Sequence, residues 1–121
     1  RVGDPLDPAT TMGPLVTPEQ QTRVLGYIES GKREGAQLIL GGDRPVGMDA
    51  GNYVQPTLFG KVNETMTIAR EEIFGPVGAV IPFQTPEDAV AIANNSIYGL
   101  ASSIWTRDLT TAHRMARDIE A

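Results

Sequence analysis

The sequence contains no cysteine, and this absence excludes several kinds of chemistry at once. Without a thiol there is no disulfide framework, no thiolate metal site and no cysteine nucleophile. Histidine is nearly absent as well, since His113 is alone in the chain. Metal ligands usually come in clusters, and His113 has neither a second histidine nor an acid at ligand spacing. We therefore interpret His113 as a surface residue and predict no metal site.

Basic residues and long apolar runs are also scarce. Ten Lys and Arg against 15 Asp and Glu give a net charge of −5, and the basic residues do not cluster. A chain with this balance is not expected to bind nucleic acid. Its apolar runs fall far short of the roughly 20 residues that span a bilayer, which argues against a membrane protein. The G-x-G-x-x-G, P-loop and H-E-x-x-H motifs are absent, so we expect cofactor phosphates to be held elsewhere.

The helix signals that are present are explicit. A loop rich in proline and glycine is predicted over residues 1–16, followed by an α/β core over residues 17–121. Thr17 as N-cap and Pro18 at the first helical position start a helix that we expect to end near Glu34, with Gly35 as its left-handed stop. Two further helices are predicted after Thr85 and after Asp108, the second running to the end of the chain.

Four apolar or β-prone runs predict strands between these helices. They cover residues 36–40, 53–59, 77–83 and 100–106. The first is expected to be buried, and the second to lie at a sheet edge or bend out of the sheet because Pro56 cannot donate to a ladder. The third is apolar on both faces, as in a sheet covered by helices on both sides. The alternation favours an α/β fold with a largely parallel sheet and covering helices.

One segment, Glu71-Glu72-Ile73-Phe74-Gly75-Pro76, carries chemistry that a purely structural interpretation leaves unused. It could be an acidic turn with Phe74 packed in the core, because charge runs are usually solvated and a single Phe is usually packing. Alternatively, a carboxylate can accept hydrogen bonds from both hydroxyls of a ribose while a neighbouring ring packs against a flat heterocycle. The second interpretation predicts a nucleoside site.

This segment with Val77 resembles a motif of the NAD(P)-dependent aldehyde dehydrogenases, in the later part of their catalytic domain. Other matching runs follow the same order along essentially the whole chain: Gly3-Asp4-Pro5, Thr11 to Leu15, Gly26-Tyr27-Ile28, Gly31-Lys32 with Glu34-Gly35-Ala36, Gly41-Gly42, Gln55-Pro56-Thr57, Asn94-Asn95-Ser96 with Tyr98-Gly99-Leu100, and Ala101 to Thr106. The resemblance implies that the chain is part of that catalytic domain and that its parent protein oxidises an aldehyde with NAD or NADP. It also implies a cytoplasmic homo-oligomer.

The resemblance assigns four cofactor-binding residues. Glu72 corresponds to the glutamate that holds the nicotinamide ribose, and Phe74 to the ring that lines the nicotinamide pocket. Gln20 and Arg23 resemble a pair that approaches the cofactor in some family members. A helix cap and a solvated charge are the alternative interpretation of that pair.

No catalytic residue is assigned, because the family's nucleophilic cysteine and general-base glutamate correspond to positions upstream of Arg1. We therefore expect the chain to be a fragment that is catalytically inactive alone. Two hydrogen bonds to a carboxylate contribute about 1.5–3 kcal/mol each, against roughly 4–15 kcal/mol for immobilising a ligand, so the fragment is not expected to bind the cofactor. The alternative is a short interaction module that docks on an intact dehydrogenase and modulates its assembly.

Overall fold

The computed structural model describes residues 1–121 and divides them into two compact units, Arg1–Ile81 and Pro82–Ala121. The first unit contains α1 (Pro18–Arg33), β1 (Gln37–Leu40), β2 (Thr57–Gly60), α2 (Thr67–Arg70) and β3 (Val77–Ala79). The second contains α3 (Pro86–Asn94) and α4 (Leu109–Asp118). The predicted α/β class is confirmed. The predicted division into a loop over residues 1–16 and a core over residues 17–121 stays a prediction.

Helix α1 begins and ends where its capping residues predict. The Thr17 side chain accepts a hydrogen bond from the Gln20 backbone N–H, and Gly35 adopts φ 92° just beyond the last turn. Val24 and Ile28 are fully buried one turn apart. The helix therefore presents a continuous apolar stripe to the first unit, as its 3.6-residue periodicity predicts.

The sheet has three strands in the order β1-β2-β3 and is mixed. β2 pairs antiparallel with β1 and parallel with β3. The prediction of a largely parallel sheet was therefore wrong for the β1–β2 pair. The register of that pair shifts between Leu38 and Leu40, which places a bulge at the edge strand.

Two predicted strand environments also differ from the structure. All four residues of β1 are exposed, and β1 lies at the edge of the sheet, so the prediction of a buried strand was wrong. β2 is the central strand rather than an edge. It begins at Thr57, immediately after Pro56, so the missing N–H of the proline lies outside the ladder. β3 ends at Ala79, earlier than predicted, and is only half-buried.

The buried apolar core lies entirely within the first unit. Phe59 on β2 is fully buried, and Ile68 on α2 is nearly so. Gly31 of α1 lies between them: a Cβ at Gly31 would lie 2.9 Å from Ile68 Cδ1 and 3.2 Å from Phe59 Cζ. Close approach of α1 to the sheet and to α2 therefore depends on a residue without a side chain.

The second unit consists of capped helices without buried residues. Thr85 and Asp88 form a reciprocal capping box at the start of α3, and the Asp108 carboxylate accepts from the Thr111 N–H at the start of α4. Both predicted helices are confirmed. The predicted strand over residues 100–106 is absent; the second unit contains no strand, so nothing within it supplies a ladder.

Candidate functional site

The segment Glu71-Glu72-Ile73-Phe74-Gly75-Pro76 connects α2 to β3 and lies against α1; we call residues 71–75 the acidic loop. The Glu71 N–H donates to the Thr67 carbonyl at 3.0 Å and so caps α2. At the other end Gly75 touches α1, since a Cβ at Gly75 would lie 2.5 Å from Val24 Cγ2. The loop is thus fixed between a short helix, a strand and the buried face of α1.

Gln20 holds the centre of the acidic loop through its side-chain amide. Its Nε2 donates to the Ile73 carbonyl at 3.2 Å and to the Phe74 carbonyl at 2.8 Å. Phe74 adopts φ 56°, a left-handed conformation that is costly for an aromatic residue. The two hydrogen bonds from Gln20 fall on the residues that need this support.

Arg23 and Tyr27 hold the beginning of the loop from the next turn of the same helix. Arg23 Nη2 donates to the Glu72 carbonyl at 3.2 Å and approaches the Tyr27 hydroxyl at 3.4 Å. The Tyr27 hydroxyl donates to Glu71 Oε2 at 2.8 Å. The guanidinium of Arg23 also lies 5.6 Å from the centre of the Tyr27 ring, within the range of a cation–π contact.

The Glu72 carboxylate and the Phe74 ring differ from the rest of the acidic loop, because no hydrogen bond or packing contact described above holds them to α1. Glu72 is half-buried, yet its carboxylate makes no hydrogen bond or ion pair within the chain. The Phe74 side chain is 67% exposed, so the alternative that packed this ring in the core is wrong. A free carboxylate and a free ring therefore stand two residues apart on a loop whose backbone is fixed.

Glu34, at the end of α1, fixes the helix that leads into the loop. Its two carboxylate oxygens accept from Thr67, one from the hydroxyl and one from the backbone N–H, each at 2.6 Å. These hydrogen bonds, first that of the hydroxyl, hold the pKa of Glu34 below its usual value. Thr67 begins α2, so the start of α2 is tied to the end of α1.

The structure brings all four sequence-predicted site residues together: Gln20 and Arg23 contact the backbone of the loop that carries Glu72 and Phe74. Gln20 does not complete a capping box with Thr17, because its side chain points to the loop. Arg23 is exposed but not merely solvated. The pairing of Tyr27 with Glu71 was not predictable, since these residues lie 44 positions apart and neither carries a local signal for the other.

Comparison with known proteins defines the family. The sequence pattern of the Aldehyde dehydrogenase family matches residues 1–121. The chain belongs to this family. Betaine aldehyde dehydrogenase of Cereibacter sphaeroides is 51% identical to the chain over 121 residues, and that of Sinorhizobium fredii is 50% identical. The matches cover 100% and 99% of this chain but 25% of each relative, so the chain spans about a quarter of the length of these aldehyde dehydrogenases.

Solved aldehyde dehydrogenases have the same fold over this region. The Mycobacterium tuberculosis aldehyde dehydrogenase complexed with NAD+ matches with a TM-score of 0.94 and 55% identity, over 98% of this chain and 24% of that one. The aldehyde dehydrogenase KauB from Pseudomonas aeruginosa matches with a TM-score of 0.96 and 50% identity, over 100% and 24%. The predicted family resemblance is confirmed.

Two other features of the chain bear on the sequence predictions. No three His, Asp or Glu side chains come close enough together to hold a metal ion. None of the helices is both long and apolar enough to cross a membrane. The cofactor-binding roles of Glu72, Phe74, Gln20 and Arg23 stay predictions.

Proposed function

We propose that this chain is a segment of an NAD(P)-dependent aldehyde dehydrogenase that oxidises an aldehyde to a carboxylic acid, and that it forms the nicotinamide-ribose side of the cofactor site. The observation that carries this proposal is that Glu72 is a half-buried residue whose carboxylate has no partner in the chain. An ionised carboxylate that no group of the chain binds is available to a ligand with hydrogen-bond donors.

The residues fit a nicotinamide riboside in their chemistry. An ionised carboxylate has lone pairs for two donors, and the two hydroxyls of a ribose supply them on adjacent carbons. The exposed ring of Phe74 offers an apolar surface for a flat heterocycle. Because Gln20 and Arg23 hold the loop backbone, the backbone at Glu72 and Phe74 loses little conformational freedom when a ligand binds.

The rest of the reaction requires groups that this chain does not contain. With no cysteine, the chain supplies no thiol nucleophile, and the family resemblance implies that the cysteine and a glutamate base come from other parts of the protein. When bound, NAD(P) supplies the hydride acceptor for aldehyde oxidation. The role proposed for this segment is to bind and orient, with Glu72 holding the ribose and Phe74 limiting the position of the ring. We further propose that the complete enzyme is a cytoplasmic homo-oligomer.

The proposal is tested in the complete enzyme by following aldehyde-dependent NAD(P) reduction. We expect turnover with at least one aldehyde, and a KM for the cofactor about tenfold higher in Glu72→Gln, because the neutral amide loses the charge that strengthens the ribose hydrogen bonds. Glu120→Gln, an exposed change in the second unit, is the matched control and should leave KM unchanged. Unaltered cofactor kinetics in Glu72→Gln would remove Glu72 from the site.

A further inference from the structure

The acidic loop begins with two adjacent glutamates, and their carboxylates differ in their hydrogen-bond partners. The Glu71 carboxylate is bound by the Tyr27 hydroxyl at 2.8 Å, whereas the Glu72 carboxylate has no partner. Two identical side chains at neighbouring positions therefore have different environments. The carboxylate of Glu71 is bound to α1, and that of Glu72 is available to a ligand.

Tyr27 is suited to this selective contact. Its ring is half-buried and rests under the guanidinium of Arg23, which lies 5.6 Å from the ring centre, so the hydroxyl has a defined position. Arg23 Nη2 is also 3.4 Å from that hydroxyl. The guanidinium of Arg23 polarises the Tyr27 hydroxyl, and this polarisation strengthens the hydrogen bond that the hydroxyl donates to the Glu71 carboxylate.

The geometry points to Tyr27 and Glu71 as positioning residues for the cofactor site, an inference that rests on the function proposed above. Glu71 is the first residue of the loop, and its backbone N–H is already bound to Thr67. The side-chain contact with Tyr27 fixes the same residue a second time. The backbone from which Glu72 extends is thereby restrained, so the Glu72 carboxylate is presented from a fixed position. Neither Tyr27 nor Glu71 is required to touch the cofactor.

Three substitutions separate this role from general destabilisation. Tyr27→Phe keeps the ring and its contact with Arg23 but removes the donor. Glu71→Leu removes the acceptor, while Glu71→Gln keeps an oxygen that accepts from the Tyr27 hydroxyl. Tyr98→Phe, in the second unit, is the matched control for loss of a tyrosine hydroxyl.

The experiment measures NADH affinity by fluorescence titration and backbone hydrogen exchange of residues 71–75 in the complete enzyme. We expect Tyr27→Phe and Glu71→Leu each to weaken NADH binding about three- to tenfold, less than the direct loss of a hydrogen bond to a charged group, because this contact acts on the cofactor only through the loop. Exchange of the loop should rise in both. Glu71→Gln should weaken binding and raise exchange less than Glu71→Leu does, because it keeps a neutral acceptor for the Tyr27 hydroxyl, and Tyr98→Phe should remain close to wild type in both measurements. The Tyr27→Phe/Glu71→Leu double variant should be no worse than either single variant, since both remove the same contact.

Unchanged loop exchange in Tyr27→Phe and Glu71→Leu would overturn the inference. So would faster exchange with NADH affinity unaltered, because the contact would then be structural only. If the wild-type enzyme itself fails to bind NADH, the proposed function fails. The positioning role would then be excluded as well. The hydrogen exchange of residues 71–75 would still show whether Tyr27 restrains Glu71.

Discussion

The two units of the chain differ in what holds them together. The first, Arg1–Ile81, contains every buried apolar residue, including the fully buried Phe59, Val24 and Ile28. The second, Pro82–Ala121, has helices of similar capping quality but no buried residue, and Trp105 is 92% exposed. Local signals of equal strength therefore form helices in both units, whereas tertiary burial stabilises only the first. The proposed site lies in the unit with the core, as a site that must hold its geometry requires.

The largest expected contrast comes from one aromatic residue in each unit. Phe59→Ala should destabilise the first unit by about 3–5 kcal/mol, because it opens a cavity in a fully packed position. Trp105→Ala removes a larger ring from an exposed position and should change stability by less than about 0.5 kcal/mol. Peptide-resolved hydrogen exchange in increasing urea measures both. A cost for Trp105→Ala as large as that for Phe59→Ala would show that the second unit is packed as tightly as the first.

A pair of glycine substitutions tests how closely the loop is fitted to α1. Gly75→Ala should cost about 1–3 kcal/mol, because the new Cβ would lie 2.5 Å from Val24 Cγ2 on a buried helix face. Gly26 lies in α1, and a Cβ added there would meet no atom within 4 Å. Gly26→Ala should therefore stabilise the chain by about 0.5–1 kcal/mol through helix propensity. The thermal unfolding midpoint should therefore fall in Gly75→Ala and rise in Gly26→Ala. If Gly75→Ala is also stabilising, the loop is not held against α1.

The two threonine caps compare the units directly. Thr85→Ala removes the capping box of α3 and Thr17→Ala removes the cap of α1, each at a local cost of about 1 kcal/mol. Exchange in α3 should rise about fivefold across the whole helix, because no buried contact compensates. In α1 the increase should stay in the first turn, since Val24 and Ile28 anchor the rest. A rise spread equally through both helices would contradict the comparison.

The smallest expected effect is a change with pH in the stability of the start of α2. The pKa of Glu34 is lowered in the folded chain by hydrogen bonds from Thr67, so this contact stabilises fully above the ordinary pKa of a glutamate. The stabilisation is lost as the pH falls through the lowered folded-state pKa. Exchange in α2 should therefore increase in that acidic range, and Glu34→Gln should abolish this component. A Glu34→Gln variant with the same acid transition as wild type would assign it to another group.

The three longer helices were predictable from the sequence, because their starts depend on local patterns, whereas the four-residue helix α2, which has no side-chain cap, was not predicted. Thr17, Thr85 and Asp108 each mark a helix start through contacts within three residues. The environment of the strands was not predictable, since a strand needs a partner elsewhere in the chain. Residues 100–106 have strand propensity but belong to a unit that contains no strand, and β1 has a partner on one side only.

The same distinction applies to the candidate site. Glu72 and Phe74 stand in a recognisable run, so their chemistry could be proposed from the sequence. The contacts of Gln20 and Tyr27 with the loop join residues 44 or more positions apart, and only the fold brings these residues together. The sequence therefore indicated the residues proposed to meet the ligand better than the contacts that hold them in place.

The central claim is that the second glutamate of the pair, and not the first, binds the cofactor. NADH titration of the complete enzyme with Glu72→Gln and Glu71→Gln compares two chemically identical changes at adjacent positions. We predict an affinity about tenfold weaker for Glu72→Gln, and a clearly smaller loss for Glu71→Gln, which keeps an acceptor for the Tyr27 hydroxyl. Equal affinities for wild type and Glu72→Gln would contradict the account.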